Sequence, residues 1–107
     1  MEYISTRNKN LSFSFKEIFL RGLAPDGGLF VPKEIKTYDK SEINKLQKLS
    51  YIELATEIIF YFCSPEIEKN NLKNLLKKSY KSFQTNEVIT IKKVGDINLL
   101  ELYHGPT

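Results

Sequence analysis

A chain of 107 residues is long enough for one small domain with a modest core. Its 41% hydrophobic and 27% charged residues are ordinary for a globular protein and exclude a disordered or fibrous chain. The 16 basic and 13 acidic residues leave a net charge of +3, spread too thinly to signal nucleic acid, and no apolar run approaches the length of a membrane span.

Residues Met1 to Asn10 lack the apolar stretch of a signal peptide, so a cytoplasmic setting is expected. A single cysteine, Cys63, excludes an intrachain disulfide. With a single histidine as well, no Cys/His metal cluster is available, and no metal site is expected.

Tyr3-Ile4 reads as a short strand ahead of the polar Ser5-Thr6-Arg7. Ser14 then caps a helix, with Glu17 completing a capping box and Phe13 and Ile18 forming a hydrophobic staple. Gly22 ends that helix, because glycine tolerates the left-handed exit. Ala24 to Pro32 is a loop rich in turn residues, with a short extended stretch at Leu29-Phe30-Val31. Asp39 with Glu42, and Ser50 with Glu53, repeat the capping grammar for two more helices. The third carries Tyr51, Ile52, Ala55, Ile58, Ile59 and Phe62 at helical spacing.

A fourth helix is expected to begin at Ser64-Pro65, with proline at its first position. Its apolar stripe is Ile67, Leu72, Leu75, Leu76 and Tyr80. Lys73, Lys77, Lys78 and Lys81 sit on the same helix and read as a solvated face, or alternatively as a surface for an acidic partner. Val88 to Val94 and Ile97 to Tyr103 form an antiparallel hairpin about Gly95-Asp96. The expected class is α+β: about four helices with a short strand set that includes this C-terminal antiparallel hairpin.

Chemistry is sparse. Cys63, at the end of an apolar helix, reads as packing and not as a nucleophile. Ser5-Thr6-Arg7 offers two hydroxyls and a guanidinium to a phosphate, but such a triplet is common. Asp26-Gly27-Gly28 presents backbone N–H groups to an anion, or is a plain turn. A lone histidine, His104, follows the last strand and is structural or functional. The chain then stops at His104-Gly105-Pro106-Thr107. A Gly-Pro step after a strand is a turn leading onward, so a truncated chain is expected.

Three segments together carry a specific resemblance. They are Tyr3-Ile4-Ser5-Thr6-Arg7, the run Gly22-Leu23-Ala24-Pro25-Asp26-Gly27-Gly28-Leu29-Phe30-Val31-Pro32, and Leu100-Glu101-Leu102-Tyr103-His104-Gly105-Pro106-Thr107. In this order they resemble the N-terminal region of the threonine synthase family. The resemblance covers essentially the whole chain but only about a quarter of a full-length member.

The resemblance implies a parent enzyme of fold-type II that uses pyridoxal 5'-phosphate as an electron sink. That parent converts O-phospho-L-homoserine and water into L-threonine and phosphate. By the family pattern the Schiff-base lysine lies four residues past Thr107. No catalytic group is therefore expected within the chain, and no cofactor is expected on these 107 residues alone. Residues 1–85 would be the N-terminal domain, and 86–107 the start of the catalytic domain. His104, Gly105 and Thr107 would line the active site, Thr107 donating a hydrogen bond to substrate or phosphate and His104 orienting the turn. Alternatively, His104 and Pro106 shape the entry to a buried strand. The Asp26–Gly28 loop would pack against the catalytic domains and stiffen that turn. The implied partners are those domains and a small-molecule substrate, with no nucleic acid and no membrane. Two alternatives stand beside this reading: a related phospho-lyase, and a non-catalytic interaction domain.

Overall fold

The computed structural model describes residues 1–83 and 87–105. Local capping chemistry sets the first three helices: α1 (Phe15–Arg21), α2 (Lys40–Leu46) and α3 (Tyr51–Cys63). All three expected capping boxes form, at Ser14/Glu17, Asp39/Glu42 and Ser50/Glu53. In the second, Asp39 Oδ1 accepts the Glu42 N–H at 2.7 Å while Glu42 Oε2 accepts the Asp39 N–H at 3.0 Å. Each cap satisfies donors the helix cannot satisfy itself and stabilises by about 1 kcal/mol. Gly22 closes α1 at φ 74°, its N–H bonded to the Ile18 carbonyl.

The fourth helix, α4, spans Lys69–Tyr80 and not a run from Pro65. Proline disfavours helical geometry in the residue before it, so Ser64 leaves the helix and α3 stops at Cys63. The α4 cap is instead Glu68, whose carboxylate accepts from the backbone of Asn70 and Asn71. Ser64-Pro65 is a cis step in the connection. Lys69 pairs with Glu57 and Lys73 with Glu53. Numbers rise on α4 as they fall on α3, so the two helices run antiparallel. Edge-on packing of Tyr51 against Tyr80 closes the far end of the pair.

The N-terminal strand β1 (Tyr3–Ser5) lies at the centre of a three-stranded antiparallel sheet. β2 (Ser12–Phe13) and β3 (Phe30–Pro32) flank it, and Ser12–Phe13 was not foreseen as a strand. Tyr3 docks this sheet on the helices: its hydroxyl donates to the Phe62 carbonyl at 2.8 Å, and the Met1 ammonium donates to the Ser64 carbonyl at 2.7 Å. Among the described residues Tyr3, Ala24, Cys63 and Leu72 are the buried apolar side chains of this small core.

A separate two-stranded sheet follows, β4 (Thr90–Val94) against β5 (Ile97–Glu101). Its strands are shorter than the alternation predicted, but the turn is where it was expected. Val94 faces Ile97, and Gly95 takes φ 61° at the first central position, as a type II′ turn requires. Ile91 and Leu100 on one face, and Val94, Ile97 and Leu99 on the other, are exposed. Among the described residues no helix is long and apolar enough to cross a membrane.

Candidate functional site

Strand β5 delivers the chain to His104, and strand periodicity decides what surrounds it. The register pairs Thr90 with Glu101 and Lys92 with Leu99, so Thr90 and Glu101 share a face. Glu101 is buried, which a lone carboxylate would resist. Three side chains converge on it. Thr90 Oγ1 donates to Oε2 at 2.7 Å, Tyr103 OH donates to Oε1 at 2.7 Å, and His104 Nε2 lies 3.0 Å from Oε2. His104 Nε2 is also 3.0 Å from Thr90 Oγ1.

These bonds, that from Thr90 first, then Tyr103 and His104, hold the Glu101 carboxyl down to about 2. It is therefore ionised at neutral pH and can only accept. The network then assigns the hydrogen of the neutral imidazole to Nε2. The Tyr103 hydroxyl is pushed up by its bond to Glu101. The Tyr103 and His104 rings lie 4.7 Å apart.

Gly105 meets the turn from the other side. A Cβ placed there would stand 3.4 Å from the Phe83 ring, which is ordinary contact. Phe83 packs edge-on against Tyr80 at 5.0 Å, and Tyr80 against Tyr51 at 5.1 Å. An aromatic file thus runs from the helical pair to the turn. His104 and Gly105, neighbours in the chain, share this turn, while Thr107 and Pro106, with the role expected of Thr107, lie outside the described residues. Glu101 and Thr90 were missed from sequence. The available signal was a carboxylate inside the otherwise apolar run Leu99-Leu100-Glu101-Leu102-Tyr103.

The two polar motifs near the N-terminus meet each other. Ser5 Oγ donates to Asp26 Oδ1 at 2.7 Å and accepts the Arg7 N–H at 3.1 Å. Arg7 Nη1 donates to the Asp26 carbonyl, Gly28 N–H donates to Asp26 Oδ1, and Leu29 N–H donates to Thr6 Oγ1. Ser5-Thr6-Arg7 is thus spent on holding a loop, which replaces the phosphate reading. Asp26-Gly27-Gly28 is the held turn, and no hydrogen bond among the described residues joins it to His104. The Ser5 hydroxyl, then the Gly28 N–H, keep the Asp26 carboxyl below the usual carboxylate range.

The other candidates are structural. Cys63 is fully buried, and burial pushes its thiol up, away from the reactive thiolate. Two α4 lysines, Lys69 and Lys73, are engaged with α3 glutamates. A groove of about 810 Å³ beside Tyr38, Phe60 and Tyr61 holds pairs of cancelling charge, Lys33 with Glu2 and Lys36 with Glu42, and His104 is not part of it. Among the described residues no group of three His, Cys, Asp or Glu is placed to hold a metal.

The family description "Threonine synthase N terminus" matches residues 2–80. Threonine synthase of Schizosaccharomyces pombe is 40% identical over 109 residues, which is 100% of this chain and 21% of that protein. Threonine synthase-like 2 of Xenopus laevis is 35% identical over 100% of this chain and 23% of that protein. The crystal structure of a PLP-bound threonine synthase from Brucella melitensis superposes with a TM-score of 0.89 at 32% identity, covering 99% of this chain and 23% of that one. The chain thus spans about a fifth of the length of these relatives. It belongs to the threonine synthase family and corresponds to the family's N-terminal region.

Proposed function

We propose that this chain serves as the N-terminal segment of an enzyme that turns O-phospho-L-homoserine and water into L-threonine and phosphate, with pyridoxal phosphate as cofactor. One observation carries the reading. The likeness to the PLP-bound Brucella enzyme runs over 99% of the chain, and so includes the strand that leads into His104. The segment's contribution is to set the turn at His104 and Gly105, with Thr107 offering a hydroxyl to the substrate or its phosphate.

The described residues do not form a cofactor cradle by themselves. A phosphate needs donors, and the side-chain donors near the turn, Thr90, Tyr103 and His104, all converge on Glu101. On this reading the groups that hold the cofactor are supplied by other parts of the whole protein.

The proposed division places residues 1–85 in an N-terminal domain and 86–107 at the start of a catalytic domain. Two features support it. The family description ends at residue 80, and among the described residues β4 and β5 pair only with each other. Apolar side chains on both faces of this hairpin suit a strand pair covered on both sides by further domains of the same polypeptide. A cytoplasmic setting fits the free, buried Cys63, which asks for no oxidising compartment.

The test is to assay the whole protein carrying this segment for threonine and phosphate formation from O-phospho-L-homoserine. Thr107→Ala should raise KM or lower kcat, and wild-type kinetics in that variant would count against the role given to Thr107. A second reading is a phospho-lyase acting on related phosphorylated hydroxy amino acids, since the relatives include proteins named threonine synthase-like as well as threonine synthases. Phosphate release from such a compound without threonine formation would favour it.

A further inference from the structure

His104 is held by one edge of its ring. Nε2 faces Glu101 Oε2 and Thr90 Oγ1, each at 3.0 Å, and the side chain is 13% exposed. Glu101 is in turn held from two directions, by Thr90 on the opposite strand and by Tyr103 two residues on. Its two oxygens divide the work: Oε1 takes Tyr103, while Oε2 takes Thr90 and His104. In an imidazole whose Nε2 carries the hydrogen, Nδ1 keeps a lone pair. Nδ1 lies across the ring from the carboxylate, and no described group bonds to it.

We propose that Glu101 is the positioning residue of this turn: its carboxylate fixes the His104 ring with the Nε2 hydrogen turned into the hairpin, so that the Nδ1 lone pair is presented to a hydrogen-bond donor of the substrate. The proposal rests on the threonine synthase reading for the identity of that substrate. The ring setting itself does not depend on it. A second-layer carboxylate that fixes an imidazole's tautomer and orientation is a recurring way of making histidine act at one nitrogen only.

The first test uses this chain and does not require activity. Nitrogen-15 NMR should show the neutral form of the His104 ring protonated at Nε2 and bare at Nδ1, with the Nε2 hydrogen protected enough from exchange to be observed. A neutral ring with its hydrogen on Nδ1, or a ring N–H that exchanges like free imidazole, overturns the proposal. The second test uses the whole enzyme and compares two variants. Glu101→Gln keeps the shape but leaves a single acceptor oxygen, so either Tyr103 or the Thr90–His104 pair loses its partner. Tyr103→Phe removes a bond to the same carboxylate and leaves both Nε2 contacts of His104 and the Tyr103 ring in place. Glu101→Gln should lower kcat/KM by about tenfold or more, as misplacement of a site group does. Tyr103→Phe, which leaves the Oε2 bonds in place, should lower it clearly less than Glu101→Gln does, the two variants retaining the same cofactor absorbance and circular dichroism. An equal fall in both variants means Glu101 only braces the hairpin, and wild-type kinetics in Glu101→Gln overturns the role as well. Should Glu101→Gln not fold, Thr90→Val replaces it: a shifted Nε2–H resonance is expected, and an unchanged one refutes the network. If the whole enzyme makes no threonine, the substrate assignment fails, and the NMR result still decides the ring setting.

Discussion

Ser5 and Asp26, 21 residues apart in the chain, meet at 2.7 Å, and that bond joins the first strand to the glycine turn ahead of β3. Ser5 is fully buried and its oxygen is doubly used, donating to Asp26 and accepting from Arg7. Removing the hydroxyl strands the Arg7 N–H and takes one of two donors from Asp26 Oδ1. Ser5→Ala should therefore destabilise the chain by about 1–3 kcal/mol, read from the midpoint of urea unfolding. A midpoint equal to wild type would mean that water replaces the bond at no cost.

Gly28 belongs to the same knot for a steric reason. A Cβ there would overlap Ser5 Oγ and press to 3.1 Å on the Arg7 nitrogen and on Asp26 Oδ1. Gly28→Ala is expected to destabilise more than an ordinary exposed substitution, by about 1–3 kcal/mol. Because the worst overlap is with the Ser5 hydroxyl, Ser5→Ala should relieve part of it. The double variant should then be more stable than the sum of the single effects predicts, and strict additivity in the cycle would refute the overlap.

What could be read from sequence divides along how local the cause is. Caps at Ser14, Asp39 and Ser50 were legible because donor and acceptor lie three residues apart. The hairpin turn was legible because Gly95-Asp96 specifies its own geometry. The start of α4 was misplaced because two proline rules compete at Ser64-Pro65, and the restriction on the preceding residue prevailed. Ser12–Phe13 was not legible at all: two residues carry no period, and only pairing with Tyr3 and Ile4 makes them a strand. The Thr90–Glu101 pair lies between. Counting outward from Val94 opposite Ile97 puts Thr90 against Glu101, but the third partner, His104, requires the chain to fold back past the end of the strand.

Gly95 tests the hairpin apart from the helical unit. Its φ of 61° is the left-handed value, and nothing stands within 4 Å of where a Cβ would sit. The cost of Gly95→Ala is thus conformational and not steric, about 1–2 kcal/mol. Gly95→Asn should cost less, since asparagine tolerates this region better. Amide exchange at Lys92 and Leu99, a hydrogen-bonded pair of the ladder, should accelerate in the alanine variant while that of α3 stays as in wild type. Equal acceleration in α3 would show that the hairpin and the helices unfold as one unit.

Acid should act on the carboxylates that the fold keeps ionised. Glu101 is held at about 2 against an ordinary 4.5, by hydrogen bonds from Thr90, Tyr103 and His104. Asp26 is lowered too, by Ser5 and then Gly28. A depressed value in the folded state means the unfolded chain binds its proton first as pH falls. The stability contributed by Glu101 is therefore complete above about 4.5 and lost progressively as pH approaches 2. Urea midpoints measured from neutral pH downward should stay level and then decline through that window. Glu101→Gln starts lower at neutral pH but should decline less steeply there, because it has no carboxyl to protonate. The two curves should therefore converge towards acid. Parallel curves through the window would mean that the folded structure does not hold the Glu101 carboxylate, and would remove the basis for assigning the Nε2 hydrogen of His104.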